Sequence, residues 1–143
     1  MKLEVNEFDA AAFVAAHPKD YVIFISGGWN FDDRTAYYQA LLCYGQHRKT
    51  ISERLKEQNS PNSAMLVGAT HACSLLKKEG SKLYLISPTP LGFKKGRKGK
   101  GPNVDLVQGV LGICAGKKIE VVDMDINKGG EIIRGIINGE VVV

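Results

Sequence analysis

Three groupings in the chain have residue types and spacing that could do chemistry. The first is a pair of carboxylates, Asp123 and Asp125, in "KKIEVVDMD". Alternate residues of a strand share a face, so the pair could offer oxygens to a lone metal ion; the plainer reading is a solvated strand end. The second grouping is cationic. Lys94, Lys95, Arg97, Lys98 and Lys100 fall within seven positions, and no acid occurs between Glu79 and Asp105. Glycines among these cations make the segment mobile and let backbone amides approach an anion. That favours a polyanion, nucleic acid first, over a loop that merely solubilises. The third is the apolar run "VIFISGGWNFDD", where Ser26 gives way to Gly27 and Gly28 and then to Asp32 and Asp33. Turn aspartates of this kind read as a hairpin tip rather than an acidic site.

No second catalytic constellation stands beside them. His71 lies mid-helix with no Cys or Asp at triad or ligand spacing, so it reads as packing or surface. Trp29 and Phe31 could stack on bases, but aromatics flanking a turn more simply cover the edge of a core. Cys43, Cys73 and Cys114 are odd in number, far apart in sequence and set in apolar surroundings. They read as buried reduced thiols, which suits a cytoplasmic protein, rather than as disulfides or a metal site.

Positioning such groups takes a core. At 143 residues, 44% hydrophobic and 24% charged, the chain has the size and composition of one folded domain. Acids among the apolar residues of "MKLEVNEFDAAAFVAAHPKDY" argue against a signal peptide or a membrane span. "MKLEV" suggests a short strand, and "FDAAAFVAAH" a short helix capped by Asp9 and ended before Pro18. "DYVIFIS" is an apolar strand stopping at Ser26. "RTAYYQALLCYGQ" suits either a strand buried on two sides or a helix face, and "HRKTISERLKEQ" a hairpin partner. "NSPNSAMLVGATHACSLLKKEG" is a helix with cap candidates Asn62 and Ser63, inward Met65, Ala69, Cys73 and Leu76, and a stop at Gly80. "SKLYLIS" is a strand ended by Pro88 and Pro90. "PNVDLVQGVLGICAG" is a helix capped by Asn103, "KKIEVVDMD" a strand, and "GEIIRGIINGEVVV" suits a short helix and strand or, the favoured reading, a hairpin about Asn138–Gly139. The expected architecture is α/β: a five-stranded mixed sheet with helices packed on it.

With these elements in order, the chain resembles the ribonuclease H fold family over roughly residues 21–125. Four stretches carry the resemblance. "FISGG" stands where the family has an apolar strand ending in D-G-S. "NSAMLVGATHACSLL" stands where it has an asparagine leading into a helix whose first turn bears a glutamate. "KLYLIS" stands where its fourth strand ends in an aspartate. "KGKGPNVDLVQGVLGI" is similar to its basic, glycine-containing protrusion running into an N-x-D-L helix. Residues 1–20 add a strand and helix to that core, and the variant hairpin at 126–143 replaces the family's last helix.

The family cleaves the RNA strand of RNA–DNA hybrids with two Mg²⁺ ions on four carboxylates, an oxygen-rich site for hard cations. The resemblance carries these four positions onto Ser26, Met65, Pro88 (with Ser87 beside it) and one of Asp123, Asp125 or Glu131. Three of the four are not acidic. It therefore implies the fold and a degenerate active site, with no cofactor unless Asp123 and Asp125 keep a residual Mg²⁺ site. What the resemblance leaves is binding. Ser60 and Asn62 stand where the family places a phosphate-binding hydroxyl and a minor-groove asparagine, and Lys94, Lys95, Arg97, Lys98 and Lys100 where it grips the DNA backbone. An inactive binder of RNA, hybrid or single strands is the leading reading. A Rossmann-like nucleotide binder using the Ser26–Gly27–Gly28 turn is the alternative, which a helix at 34–46 would favour and a strand would reject. A protein-interaction scaffold is a third, and a protein partner or homo-oligomer is compatible with all three.

Overall fold

The structure, a computed structural model, describes residues 2–4, 8–58, 60–77 and 79–143. Met1 and Val5 of the expected first strand lie outside them. In chain order the elements are β1 (Lys2–Glu4), α1 (Ala10–Ala16), β2 (Tyr21–Asn30), β3 (Thr35–Tyr44), β4 (His47–Leu55), α2 (Pro61–Ser74), β5 (Lys82–Ser87), α3 (Phe93–Gly96), α4 (Val104–Gly116), β6 (Glu120–Asn127) and α5 (Gly130–Ile137). The strands form one mixed sheet in the order β1-β6-β5-β2-β3-β4. β1, β6, β5 and β2 run parallel, and β3 is antiparallel to both its neighbours. The sheet has six strands rather than the expected five. β1 lies along β6, with Lys2 opposite Asp125, and satisfies the outer edge of that strand.

β2 is apolar on both faces because it is central and covered twice. Ile23 and Ile25, with Leu83, Leu85 and Val121, meet Met65, Leu66, Ala69 and Cys73 of α2 and Val107, Val110 and Cys114 of α4. Val22 and Phe24, with Ile86, Met124 and Ile126, meet Ala10 and Val14 of α1 and Ile133, Ile136 and Ile137 of α5. Residues 35–44 resolve as a strand, with Tyr38, Ala40 and Leu42 buried on one side and Leu41 and Cys43 on the other. The nucleotide-binder alternative falls with that observation, since no helix N-terminus follows Gly27 and Gly28 to receive a phosphate.

Three local expectations are corrected. β2 does not stop at Ser26 but pairs with β3 through to Asn30. Its glycines serve close packing instead of a turn. A Cβ at Gly27 would stand 2.8 Å from the Met65 Cγ, and one at Gly28 would collide with the Tyr37 ring. The turn comes later. Asn30 Oδ1 accepts from the amide of Asp32 at 2.9 Å, and Asp33 accepts from the Thr35 hydroxyl at 2.6 Å and from Arg54 at 2.8 Å. Those bonds, the Thr35 hydroxyl foremost, hold the Asp33 carboxyl below its usual range. Asp32 and Asp33 are a hairpin tip.

The second correction concerns α2. Ser60, not Asn62 or Ser63, is its N-cap: the Ser63 amide donates to Ser60 Oγ at 3.1 Å, and Pro61 occupies the first helical position. The helix ends at Ser74, well before Gly80, and Lys117 Nζ reaches across to donate to the carbonyls of Cys73, Ser74 and Leu76.

The third is the C-terminal segment. Residues 130–137 form α5, not a hairpin arm. Ile133, Ile136 and Ile137 recur at helical spacing and are buried together, which outweighs the turn signal of Asn138–Gly139. That dipeptide instead closes the helix. Gly139 takes φ +82°, its amide donates to Ile136, and the amide of Glu140 donates to Gly135, the two bonds of a Schellman cap. Replacing Gly139 by Ala puts a Cβ on a left-handed residue. It should cost about 1 kcal/mol, a fall in Tm of about 3 °C by thermal melting.

Candidate nucleic-acid interface

A cleft of about 720 Å³ opens where the C-terminal ends of β5 and β6 meet α2, α3 and α4. Its floor is one face of β6, presenting Asp123, Asp125 and Asn127 in alternation. Lys2 joins the floor because β1 sets it beside Asp125. One wall is the turn Pro88–Leu91, and Asn62 in the first turn of α2 also lines the cleft. Lys94, Lys95 and Lys100 form the rim.

The basic segment is a folded knuckle rather than a mobile loop. Phe93 is buried and roots it in the core beneath α4. Gly96 lies so close to Val107 that a Cβ would come within 2.4 Å of it, and Gln108 Nε2 donates to the Gly96 carbonyl at 2.9 Å. The amides of Lys98 and Lys100 both return to the carbonyl of Lys95. Lys94, Lys95, Lys98 and Lys100 are thereby held exposed on one tight turn. Arg97 behaves differently. Its guanidinium lies 5.5 Å from the Phe93 ring centroid, donates to Asp123 Oδ1 at 2.7 Å and donates to the Val121 carbonyl at 2.8 Å. Four of the five cations face solvent, and the fifth ties the knuckle to β6.

Arg97→Gln should therefore act on stability before binding. Loss of a half-exposed ion pair and its carbonyl bond is expected to lower stability by about 1 kcal/mol in denaturant titration. Nucleic-acid affinity should change less than on loss of any one of the neighbouring lysines.

Of the positions that the resemblance assigns to metal ligands, Ser26 and Pro88 lie at the β2–β5 boundary. Phe24 pairs with Ile86, which sets Ser26 beside the end of β5 where Pro88 follows. A Cβ at Gly130, the first residue of α5, would lie 3.9 Å from Pro88 Cβ, and Met65 closes over Gly27. Ser26 and Met65 are both buried to 1% exposure. They sit on opposite faces: Ser26 continues the Val22–Phe24 row toward α5, while Met65 belongs to the core under α2 and α4. Ser87 is buried and donates to the Thr89 carbonyl at 2.7 Å. Asp123 and Asp125 line the cleft on the α4 side, and Glu131 is exposed in the first turn of α5. Among the described residues, no three His, Cys, Asp or Glu side chains are grouped to hold a metal ion. Ser60 is occupied as the α2 cap, with its hydroxyl 3.0 Å from that of Ser63.

Sequence reasoning missed one polar cluster. The Tyr38 hydroxyl donates to Glu53 Oε1 at 2.7 Å and lies 2.9 Å from His71 Nδ1. Burial and the adjacent carboxylate push the Tyr38 phenol well above its ordinary range. His71 thus orients a buried tyrosine between α2 and β3. The tyrosine ring sits directly on Gly68, where a Cβ would come within 2.4 Å of it. The three residues are too scattered in sequence for spacing to have joined them.

The chain matches no family model and no curated protein by sequence. Solved structures match it in shape. The N-terminal RNase H domain of rv2228c from Mycobacterium tuberculosis, solved as a fusion with maltose-binding protein, superposes with a TM-score of 0.58 at 13% identity, over 85% of this chain and 92% of that one. LC11-RNase H1, solved in complex with an RNA/DNA hybrid, gives 0.54 at 13% identity, over 85% of this chain and 99% of that one. The fold is ribonuclease H-like, a mixed α/β sheet with helices on both faces. At such identity the likeness speaks for architecture, and chemistry has to be argued from the residues. No helix among the described residues is long and apolar enough to cross a membrane.

Proposed function

We propose that this chain is a ribonuclease H-like domain that binds nucleic acid through the cleft and its basic rim and does not cut it. One observation carries the reading: at three positions that the resemblance assigns to metal-binding carboxylates, the chain has a buried hydroxyl, a thioether and a proline ring, Ser26, Met65 and Pro88. These groups do not fit a pair of Mg²⁺ ions, which require several negatively charged oxygens at short range. Asp123 is already paired with the Arg97 guanidinium, which competes with any cation for the same oxygens.

Binding needs less. Lys94, Lys95, Lys98 and Lys100 can neutralise successive phosphates, and Asn62 offers both a donor and an acceptor to a base or ribose edge. Phosphate contacts of this kind confer affinity without sequence preference. A fluorescence-anisotropy titration of labelled hybrid, duplex RNA and single strands tests the reading. Saturable binding that weakens steeply with salt is the expected result. Absence of binding to all three would overturn it and leave the interaction scaffold.

A further inference from the structure

Cys73 of α2 and Cys114 of α4 are 41 positions apart in sequence, yet their Sγ atoms lie 3.3 Å from one another. Both side chains are fully buried. Cys43 belongs to the core on the other side of the sheet, so only these two thiols can meet without unfolding. Lys117 brings a cation to the same helix end, donating to the Cys73 carbonyl at 2.7 Å. The contact with Cys73 and the nearby Lys117 ammonium draw the Cys114 thiol below its ordinary range, while the same contact and burial drive Cys73 up.

We propose that Cys73 and Cys114 are an oxidisable dithiol, a modification site that closes to a disulfide between α2 and α4 when it meets a small peroxide. Bonded sulfurs sit about 2.0 Å apart, so closure asks for a movement of roughly 1.3 Å, within the reach of side-chain rotation in two packed helices. The Cys114 thiolate, its proton lost to solvent, attacks one peroxide oxygen. The O–O bond breaks, and the departing hydroxide takes up that proton as water. Cys73 sulfur then attacks the sulfenic acid on Cys114. The S–S bond forms, the S–O bond breaks, and hydroxide leaves with the Cys73 proton as a second water. Two thiols and one peroxide give one disulfide and two waters, with two electrons passing from sulfur to oxygen. Burial selects a small oxidant that enters during local opening of the helix pair over a bulky protein partner. The bond would fasten the C-terminal ends of the two helices whose N-terminal ends flank the cleft. It does not depend on the nucleic-acid reading.

The test uses the full chain, treated with hydrogen peroxide, quenched, denatured and alkylated before peptide mapping. The expected map shows alkylation at Cys43 alone and a crosslinked peptide pair containing Cys73 and Cys114. Closing a loop of this length should also raise Tm by roughly 10 °C, reversed by dithiothreitol. Cys43→Ser should keep both effects, and Cys114→Ser should lose both. Three alkylatable cysteines after treatment, a bridge through Cys43, or oxidation of either thiol without a crosslink would each overturn the proposal. The wild-type map decides the matter even if a variant fails to fold.

Discussion

Changing Lys94, Lys95, Lys98 and Lys100 together to Gln is expected to weaken binding of an RNA–DNA hybrid by at least about 100-fold at physiological salt. Each lysine that neutralises a phosphate releases a condensed counterion, and the logarithm of affinity then falls with the logarithm of salt in proportion to the number of such contacts. Removing four contacts should flatten that slope by about 3 to 4 on a duplex. The fold should survive, because all four side chains are exposed and the knuckle is held by Phe93, Gly96, Gln108 and Arg97 instead. A circular-dichroism melt within a few degrees of wild type would confirm that only charge was removed. An unchanged salt slope would locate the binding surface elsewhere.

Placing a carboxylate at the position that the resemblance assigns to the family's first metal ligand, by Ser26→Asp, should be among the most destabilising single changes in the sheet. Ser26 is buried to 1% on a central strand, with β3 on one side and β5 on the other. An ionised carboxylate there loses its hydration, and the Arg134 guanidinium, which lies against Gly130 at the neighbouring helix end but is exposed on α5, would offset only part of that cost. A loss of about 3 kcal/mol or more at neutral pH is expected. The pH dependence follows in sign. Burial raises the folded-state pKa of the new Asp above its unfolded value, so the folded state binds the proton more tightly. The variant's deficit should therefore shrink as pH falls through the raised pKa and grow as pH rises above the unfolded value, near 4. Urea titrations at acidic and neutral pH would measure it. A neutral-pH deficit under 1 kcal/mol would mean that the site still accepts an anion, contrary to the degenerate-site reading.

The parts of the fold that could be read from the sequence are those where one local signal dominates. The continuous apolar run of β2, the capped helix α1 with Asp9 bonded to the Ala12 amide, and the spacing of Val107, Val110 and Cys114 in α4 all translated directly. Signals failed where two physical uses of one residue type compete. Asn138–Gly139 can turn a hairpin or cap a helix, and the isoleucine spacing before it decides for the cap. Gly27 and Gly28 can turn a chain or admit close neighbours, and Met65 and Tyr37 decide for packing. The lining of the cleft was legible as residue types but not as an arrangement. Nothing in the sequence distinguishes Arg97 from the lysines around it, yet its partner Asp123 lies 26 positions away. The Cys73–Cys114 and Tyr38–Glu53–His71 contacts are likewise products of the helix and strand packing.

The most direct measurement of the central claim incubates the protein with an RNA–DNA hybrid labelled on its RNA strand, in Mg²⁺ and separately in Mn²⁺, at concentrations where anisotropy shows the hybrid bound. The expected result is a bound and intact RNA strand. Metal-dependent RNA fragments that disappear in Asp123→Asn or Asp125→Asn would contradict it.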